Sequence, residues 1–470
     1  MFHDSAGDSI NINSLEDEQR YVRDSLVQTD QRQFVSRSTA PVRRKVVETQ
    51  TDADVAFLKK VEPKLMDVLD ENLALRAFDG YELQKYDEDD SLRCLHTFQS
   101  TNVLQIIPKA AITSLSWNSS GSLVAATYGY TEHDDWCKHK SFLTLWSVDR
   151  TKPSQHKSEF TFESSSCFTA IHFHPLRPGM LACGLFSGDI RIYDTANDQD
   201  CLLITSSVDD ASHKEPISQV AWVPHPSKHG VFNLVSSAQD GKILVWQIDE
   251  RNRAMHICAC SVLTIGNASM KSAGVSSDVE IGDPSIFTAG SENGGVFRCS
   301  FDDSAAKIIH SHAAAAGLEV HSAAQFAMEA HLGPVTSVDA SQFHRNVVLT
   351  SSSDATIRIY NTLQYSPYLT IQTPAPVHMA AWCPCRPMFF ATASSSGHLN
   401  FYDLCKNKVE PVSAVDVKSK DLFCLAFNSK RPQILATGSK TGSIQIWQIS
   451  DSLISTNANE QEEFFSLFCK

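Results

Sequence analysis

One short pattern, recurring seven times, limits this chain more than any other feature in it. A run of small residues, a tight turn, and a strand of alternating apolar positions ending in an aromatic repeat as SFLTLW, GDIRIY, GKILVW, GGVFRC, ATIRIY, GHLNFY and GSIQIW. Their last residues, Trp146, Tyr193, Trp246, Cys299, Tyr360, Tyr402 and Trp447, lie 47, 53, 53, 61, 42 and 45 residues apart. Alternation with period two places apolar side chains on one face of a strand. Self-similarity at a fixed spacing means that one supersecondary unit is stacked on copies of itself. The strands before the turns (LACGLFSG, NLVSSAQDG, SIFTAGSENG, VVLTSSSDA, FFATASSSG, QILATGSKTG) are made of small residues, which lets neighbouring sheets approach closely. Turns such as Asp240-Gly241 suit a two-residue hairpin with positive φ.

The repeat resembles the WD-repeat family, whose blades are four-stranded, and seven copies imply an all-β, seven-bladed β-propeller over residues 92–451. Two copies keep more of that family's polar pattern: His213 with Ser237, Asp240 and Trp246, and His331 with Ser351, Asp354 and Tyr360. The resemblance implies that these sets brace a blade, so both histidines are expected to be structural. The fourth copy is the weakest, ending in Cys299 and flanked by irregular stretches 251–283 and 304–329. No strand pattern follows the seventh copy. Its outer strand is therefore expected from Leu92 to Gln99 (LRCLHTFQ), closing the ring by overlap of its ends, and residues 452–470 form a tail.

The chain before the repeats has another character. Residues 1–52 are rich in Gln, Ser, Asp, Thr and Arg with isolated aliphatics, so burial cannot offset the entropy of folding and a disordered arm is expected. From 53 to 80 an amphipathic helix is expected, because Leu58, Val61, Leu65, Val68, Asn72 and Leu75 follow steps of three and four, with Leu69 and Leu73 widening the stripe. Thr51 and Asp54 suit a capping box, and Pro63 predicts a kink or a break. About three heptads are too few for an autonomous coiled coil, so this stripe needs a partner surface.

Residues 1–91 carry 12 basic and 20 acidic side chains, a net −8 within the chain's −14. That balance excludes a general nucleic-acid or anionic-membrane footprint and points to protein partners. No signal-peptide core opens the chain and no apolar run reaches ~20 residues, so a soluble intracellular protein without membrane contact is expected. Thirteen scattered cysteines fit a reducing compartment without disulfides.

Searches for chemistry come back empty. The pairs Cys258/Cys260, Cys383/Cys385 and His172/His174 point to one face of a strand but have no second ligand pair at zinc-site spacing, so no metal is expected. Neither a nucleophile elbow nor a phosphate loop is present, and Gly438-Ser-Lys-Thr-Gly442 fills a repeat turn. No catalytic set, no cofactor and no enzyme are expected. Trp136, in the insertion His133-Asp-Asp-Trp-Cys137 of the first blade, is either a binding anchor or a plug that packs the loop down.

The arm holds the sharper motif. Thr49, Gln50 and Thr51 form a β-prone stretch suited to strand addition at a partner's sheet edge, and Val27, Gln28 and Thr29 repeat it 22 residues earlier. Thr-Gln-Thr is similar to the motif bound by the hub light chain of dynein. Two such motifs, a helix and a seven-bladed propeller together resemble the dynein intermediate chains, and within them the shorter chain of dynein-2, the motor of retrograde intraflagellar transport. RAFDGYE (76–82), the HDDWC insertion, FHP (173–175), QVAW (219–222), SQFHRNV (341–347) and FNSKRPQILATG (427–438) carry the likeness.

The resemblance implies a non-catalytic motor subunit of the cytoplasm, cytoskeleton, cilium and ciliary base. Its propeller would hold the dynein-2 heavy chain, with Trp136 a candidate contact. Its arm would pair with a second, longer intermediate chain through hub light chains at the two strand motifs. Roadblock-type light chains would take Leu58, Val61, Leu65, Val68 and Leu69. Two other readings stand beside it: an intermediate chain of ordinary cytoplasmic or axonemal dynein, and a propeller substrate receptor of a cullin ubiquitin ligase. The latter's W-D-x-R signature is missing after Tyr193, Trp246 and Trp447.

Overall fold

Seven antiparallel sheets follow one another along the chain in a computed structural model that describes residues 52–74, 92–133, 136–149, 156–197, 200–207, 211–265, 268–269, 272–277, 285–301, 320–417, 421–455 and 460–468. Blade 1 holds strands Ala111–Trp117, Leu123–Gly129, Ser141–Ser147 and Phe160–Ser164; blade 2, Phe168–Phe173, Met180–Leu185, Ile190–Asp194 and Leu202–Thr205. Blade 3 holds Ile217–Pro224, Phe232–Ala238, Lys242–Asp249 and Ala254–Val262; blade 4, Ser272–Ser277, Ile286–Ser291, Val296–Ser300 and Ala324–Met328. Blade 5 begins at Val335–Ala340, blade 6 at Val377–Trp382 and blade 7 at Leu422–Phe427. The first strands lie side by side around a ring, with Leu422–Phe427 packed next to Ala111–Trp117. This is the seven-bladed propeller that the repeat implies.

The outer strand of blade 7 is Leu92–Phe98, antiparallel to Ile444–Ile449, as the missing strand after the seventh copy requires. Phe98 is fully buried and stacks on Trp146 at 5.1 Å, joining the last blade to the first. Around the weak fourth copy the stretches read as irregular hold strands. Ala254–Val262 completes blade 3, and Val320–Ser322 adds to it in parallel just before the chain supplies the fourth strand of blade 4. Cys299 stands in for the terminal aromatic and is fully buried beside Phe287 and Phe297.

One irregularity recurs in every blade. The register of the first strand slips near its start, at Ile112/Ser114, Phe168/Ala170, Ile217/Gln219, Ser272/Gly274, Val335/Ser337, Val377/Met379 and Leu422/Cys424. An extra residue bends a strand and leaves one side chain outside the ladder. Two such residues bond to the start of the next blade: Thr113 donates to the Phe168 carbonyl at 2.9 Å and Thr336 to that of Val377 at 2.7 Å. Glycines in the second strands allow the approach. A Cβ on Gly184 would lie 2.4 Å from Ile217, and one on Gly438 2.5 Å from Ile112.

Backbone N–H groups of the first strands are also taken up by the preceding blade. Ser116 accepts from Phe173 N at 3.0 Å and Asp339 from Trp382 N at 2.7 Å. Burial pushes the Asp339 carboxyl up to about 7, against the pull of that N–H donor.

Residues 452–470, read as a tail, contain structure. Among the described residues, helix α3 (Asp451–Ile454) and helix α4 (Glu460–Phe468) follow blade 7, numbered after α1 (Asp52–Ala74) and α2 (Thr101–Ile106). Phe464 and Phe468 of α4 are buried against Trp382 and Phe390 of blade 6. Arg386, 2% exposed, holds the helix from below: its Nε donates to both Glu460 carboxylate oxygens at 2.8 and 2.9 Å, its Nη1 to the Leu453 carbonyl at 2.7 Å, and its Nη2 pairs with Asp403 at 3.0 Å. Nothing short-range in the sequence links Arg386 to a residue 74 positions away.

Helix α1 belongs to a separate compact unit. It runs as one segment with Pro63 inside it rather than breaking there. Proline removes a single backbone donor, and the turns on either side keep their own ladder.

Two outcomes are expected. Glu460→Ala leaves a buried guanidinium with one carboxylate, so urea unfolding should show a loss of about 3 kcal/mol; an unchanged midpoint would mean that α4 does not anchor through Arg386. For Asp339, a folded value above the ordinary one means stability that is present below about pH 4 and lost as pH rises through 7. Asp339→Asn should therefore match the parent near pH 4 and exceed it by about 4 kcal/mol at pH 8. A gain independent of pH would refute this account.

Candidate functional site

The polar sets of blades 3 and 5 form, each with a shifted member. His213 is buried, its Nε2 2.8 Å from Ser236 Oγ and its Nδ1 3.2 Å from both Asp240 oxygens. Trp246 Nε1 donates to the same Ser236 hydroxyl at 2.8 Å. The serine in this chain of bonds is thus Ser236, not Ser237. Successive strand residues face opposite ways, and Ser237 turns to Ser218 at 3.2 Å.

In blade 5, His331 Nε2 meets Thr350 Oγ1 at 2.8 Å, its Nδ1 meets Thr356 Oγ1 at 2.9 Å, and Asp354 lies 3.4 Å away. Ser351 again faces the other way, toward Thr336 and Ser337 at 2.8 and 2.7 Å. Tyr360 does not close this set. Its longer reach takes the hydroxyl to the Glu329 carbonyl at 2.7 Å, and burial pushes the phenol up to about 12. The usable signal was a spacing of ten: Ser236, Thr350 and Thr437 each precede the blade's terminal aromatic by ten, and Trp447 donates to Thr437 at 3.0 Å. These sets are blade braces with no open face for a substrate.

The ligand-type pairs singled out in the sequence bind locally. His174 Nδ1 accepts from Leu176 N and Arg177 N at 3.1 Å, Cys258 Sγ donates to the Val245 carbonyl at 3.2 Å, and Cys383 and Cys385 face each other at 3.3 Å. Among the described residues the only cluster of three or more His, Cys, Asp or Glu side chains that could hold a metal lies elsewhere: His133, Cys137 and His139 of the blade 1 insertion with Cys167 at the entry to blade 2. The His-x3-Cys-x-His spacing was legible in the sequence, but its fourth member is thirty residues on, across a blade boundary.

Among the described residues, two sets of exposed apolar side chains include residues singled out in the sequence. Trp136 is 80% exposed, so it does not pack the insertion down. On α1, Leu58 and Leu65 are 57% and 55% exposed, Val68 and Leu69 are likewise exposed, and Val61 is half-buried. A row of aliphatics left in water on one helix face is costly unless a partner covers it. The strand motifs Val27, Gln28, Thr29, Thr49, Gln50 and Thr51 lie outside the described residues.

A family model for the WD domain, G-beta repeat, matches residues 204–247 and 323–361, the segments that hold the His213 and His331 sets. The chain is 31% identical over 427 residues to cytoplasmic dynein 2 intermediate chain 2 of Homo sapiens, covering 87% of this chain and 78% of that protein. The Mus musculus protein of the same name matches at 31% over 432 residues, covering 88% and 78%. Dynein axonemal intermediate chain 2 of Homo sapiens matches at 24% over 392 residues, covering 82% and 60%.

Ser236→Ala removes the hydroxyl that Trp246 Nε1 and His213 Nε2 share and should cost about 2–3 kcal/mol in urea unfolding, whereas Ser237→Ala should cost about 1. Equal losses would restore Ser237 to the set.

Proposed function

The chain belongs to the dynein intermediate chains, a WD-repeat family, and we propose that it is the non-catalytic intermediate chain of a cytoplasmic dynein-2 motor, working at the cytoskeleton and cilium in retrograde intraflagellar transport and cilium assembly. The observation that carries this reading is the 31% identity spread over 87% of the chain, against 24% for the axonemal relative.

In this reading the propeller holds the heavy chain, with the exposed Trp136 at the contact. Residues 1–52 act as the arm and pair with a longer intermediate chain through shared light chains. Thr49, Gln50 and Thr51 add a strand to a hub light chain, and Val27, Gln28 and Thr29 form a second site. Leu58, Val61, Leu65, Val68 and Leu69 dock a roadblock-type light chain, which would cover the aliphatic row of α1. Several weak dimeric contacts on tethered arms gain strength through effective concentration, so none need be tight.

Titration of the full chain with purified hub light chain should give micromolar binding that falls about tenfold with Gln50→Ala and less with Gln28→Ala. Absence of binding by the unmutated chain would remove the strand motifs from the account. Immunoprecipitation of the tagged chain should recover the dynein-2 heavy chain; recovery of other dynein heavy chains instead would overturn the dynein-2 assignment.

A further inference from the structure

Six of the seven hairpins between the second and third strands are three or four residues long, for example 239–241, 353–355 and 440–443. In blade 1 the same connection runs from Tyr130 to Lys140, eleven residues. Long irregular loops have many conformations to lose, and the described residues of this one have no strand partner. Something else has to hold it.

The four ligand-type side chains named above are placed to do so. One nitrogen or sulfur from each of His133, Cys137, His139 and Cys167 lies within 4.8 Å of every other. Tetrahedral zinc, with bonds of about 2.3 Å to sulfur and 2.0 Å to nitrogen, sets its ligand atoms roughly 3.3–3.8 Å apart, so the cluster needs only about 1 Å of contraction.

Three further observations point to a ligand at its centre. His133 Nε2 is buried with no hydrogen-bond partner, a state that costs free energy unless something accepts its lone pair or proton. The backbone N–H of Cys167 donates to Cys137 Sγ at 3.2 Å, the kind of donor that stabilises a thiolate. The imidazoles are held by packing: His133 stacks on Phe186 at 4.1 Å and His139 lies against Tyr130 at 4.6 Å. Both cysteines are free thiols.

We propose that His133, Cys137, His139 and Cys167 form a structural zinc site that clasps the blade 1 insertion to the entry of blade 2. Two thiolates and two neutral imidazoles balance the dication, which suits a partly buried position, and the mixed sulfur and nitrogen set selects zinc over calcium or magnesium. With four protein ligands the site is closed, leaving no position for an activated water. Trp136 lies next to the ligand Cys137, so the clasp fixes where that exposed indole sits.

The test uses the full chain, expressed with zinc, gel-filtered, dialysed against metal-free buffer and assayed by mass spectrometry for bound metal. About one zinc per chain is expected, lost in Cys137→Ser/Cys167→Ser and kept in Cys383→Ser/Cys385→Ser. Cobalt substitution should give the visible spectrum of a tetrahedral dithiolate site, and chelation should open Lys138 and Lys140 to trypsin. Should the double serine variant fail to fold, His139→Ala, an exposed position, must lower zinc retention against a competing chelator at least about tenfold. Less than about a tenth of an equivalent of zinc in the parent, or zinc unaffected by these changes, overturns the proposal. So does a Cys137–Cys167 disulfide in the freshly purified chain.

Discussion

The antiparallel pairing of Leu92–Phe98 with Ile444–Ile449 is what makes seven sheets into a ring. Residues some 350 apart in sequence have to meet, a closure that costs about 5 kcal/mol of chain entropy before any contact is made. The return comes from several places at once. The ladder is formed along the whole strand, Phe98 is buried on Trp146, Trp117 donates to the Ala426 carbonyl at 2.9 Å, and Asn428 donates to that of Gly121 at 2.8 Å. Arg431 pairs with Asp149 across the same seam, an exposed contact that adds little. Because the N-terminal strand and the last repeat share one sheet, which packs on the first blade, the ring cannot open there without exposing apolar faces.

Closure depends in turn on how adjacent blades are spaced. The bulge near the start of every first strand, the hydroxyls of Thr113 and Thr336 that reach into the next blade, and the glycines at 184, 290 and 438 are the same solution reused around the ring. A β-carbon at any of those three glycines would collide with the first strand of the next blade, which a closed circle has little room to absorb. This is why the strand before each turn is made of small residues and why that run is as regular in the sequence as the aromatic that ends the next strand.

Features set by short-range rules were legible in the sequence. Period-two alternation, the turn at Asp240-Gly241, with φ of 77° at the glycine, and the repeated aromatic gave the blades and their number. What escaped depends on direction or distance. The exchange of Ser237 for Ser236, and of Ser351 for Thr350, is a slip of one residue, which on a strand reverses the face and cannot be seen without fixing the register. Helix α4 is nine residues long and too short to stand out by period; its anchor, Arg386, lies in another blade. The cluster at the insertion was missed because Cys167 joins His133, Cys137 and His139 only once blades 1 and 2 are side by side.

Where the repeat is kept, its side chains are committed to one another. Histidines 213 and 331 are spent on hydroxyls and carboxylates, Asp339 on a backbone donor, and Arg386 on two acids and a carbonyl. A surface so occupied has little left for a partner. Exposed apolar side chains are found where the pattern is broken: Trp136 on the eleven-residue connection of blade 1, and the aliphatic row of α1 outside the repeats. The regular repeats thus hold the closed ring together, while the side chains left uncommitted lie in the irregular additions to it.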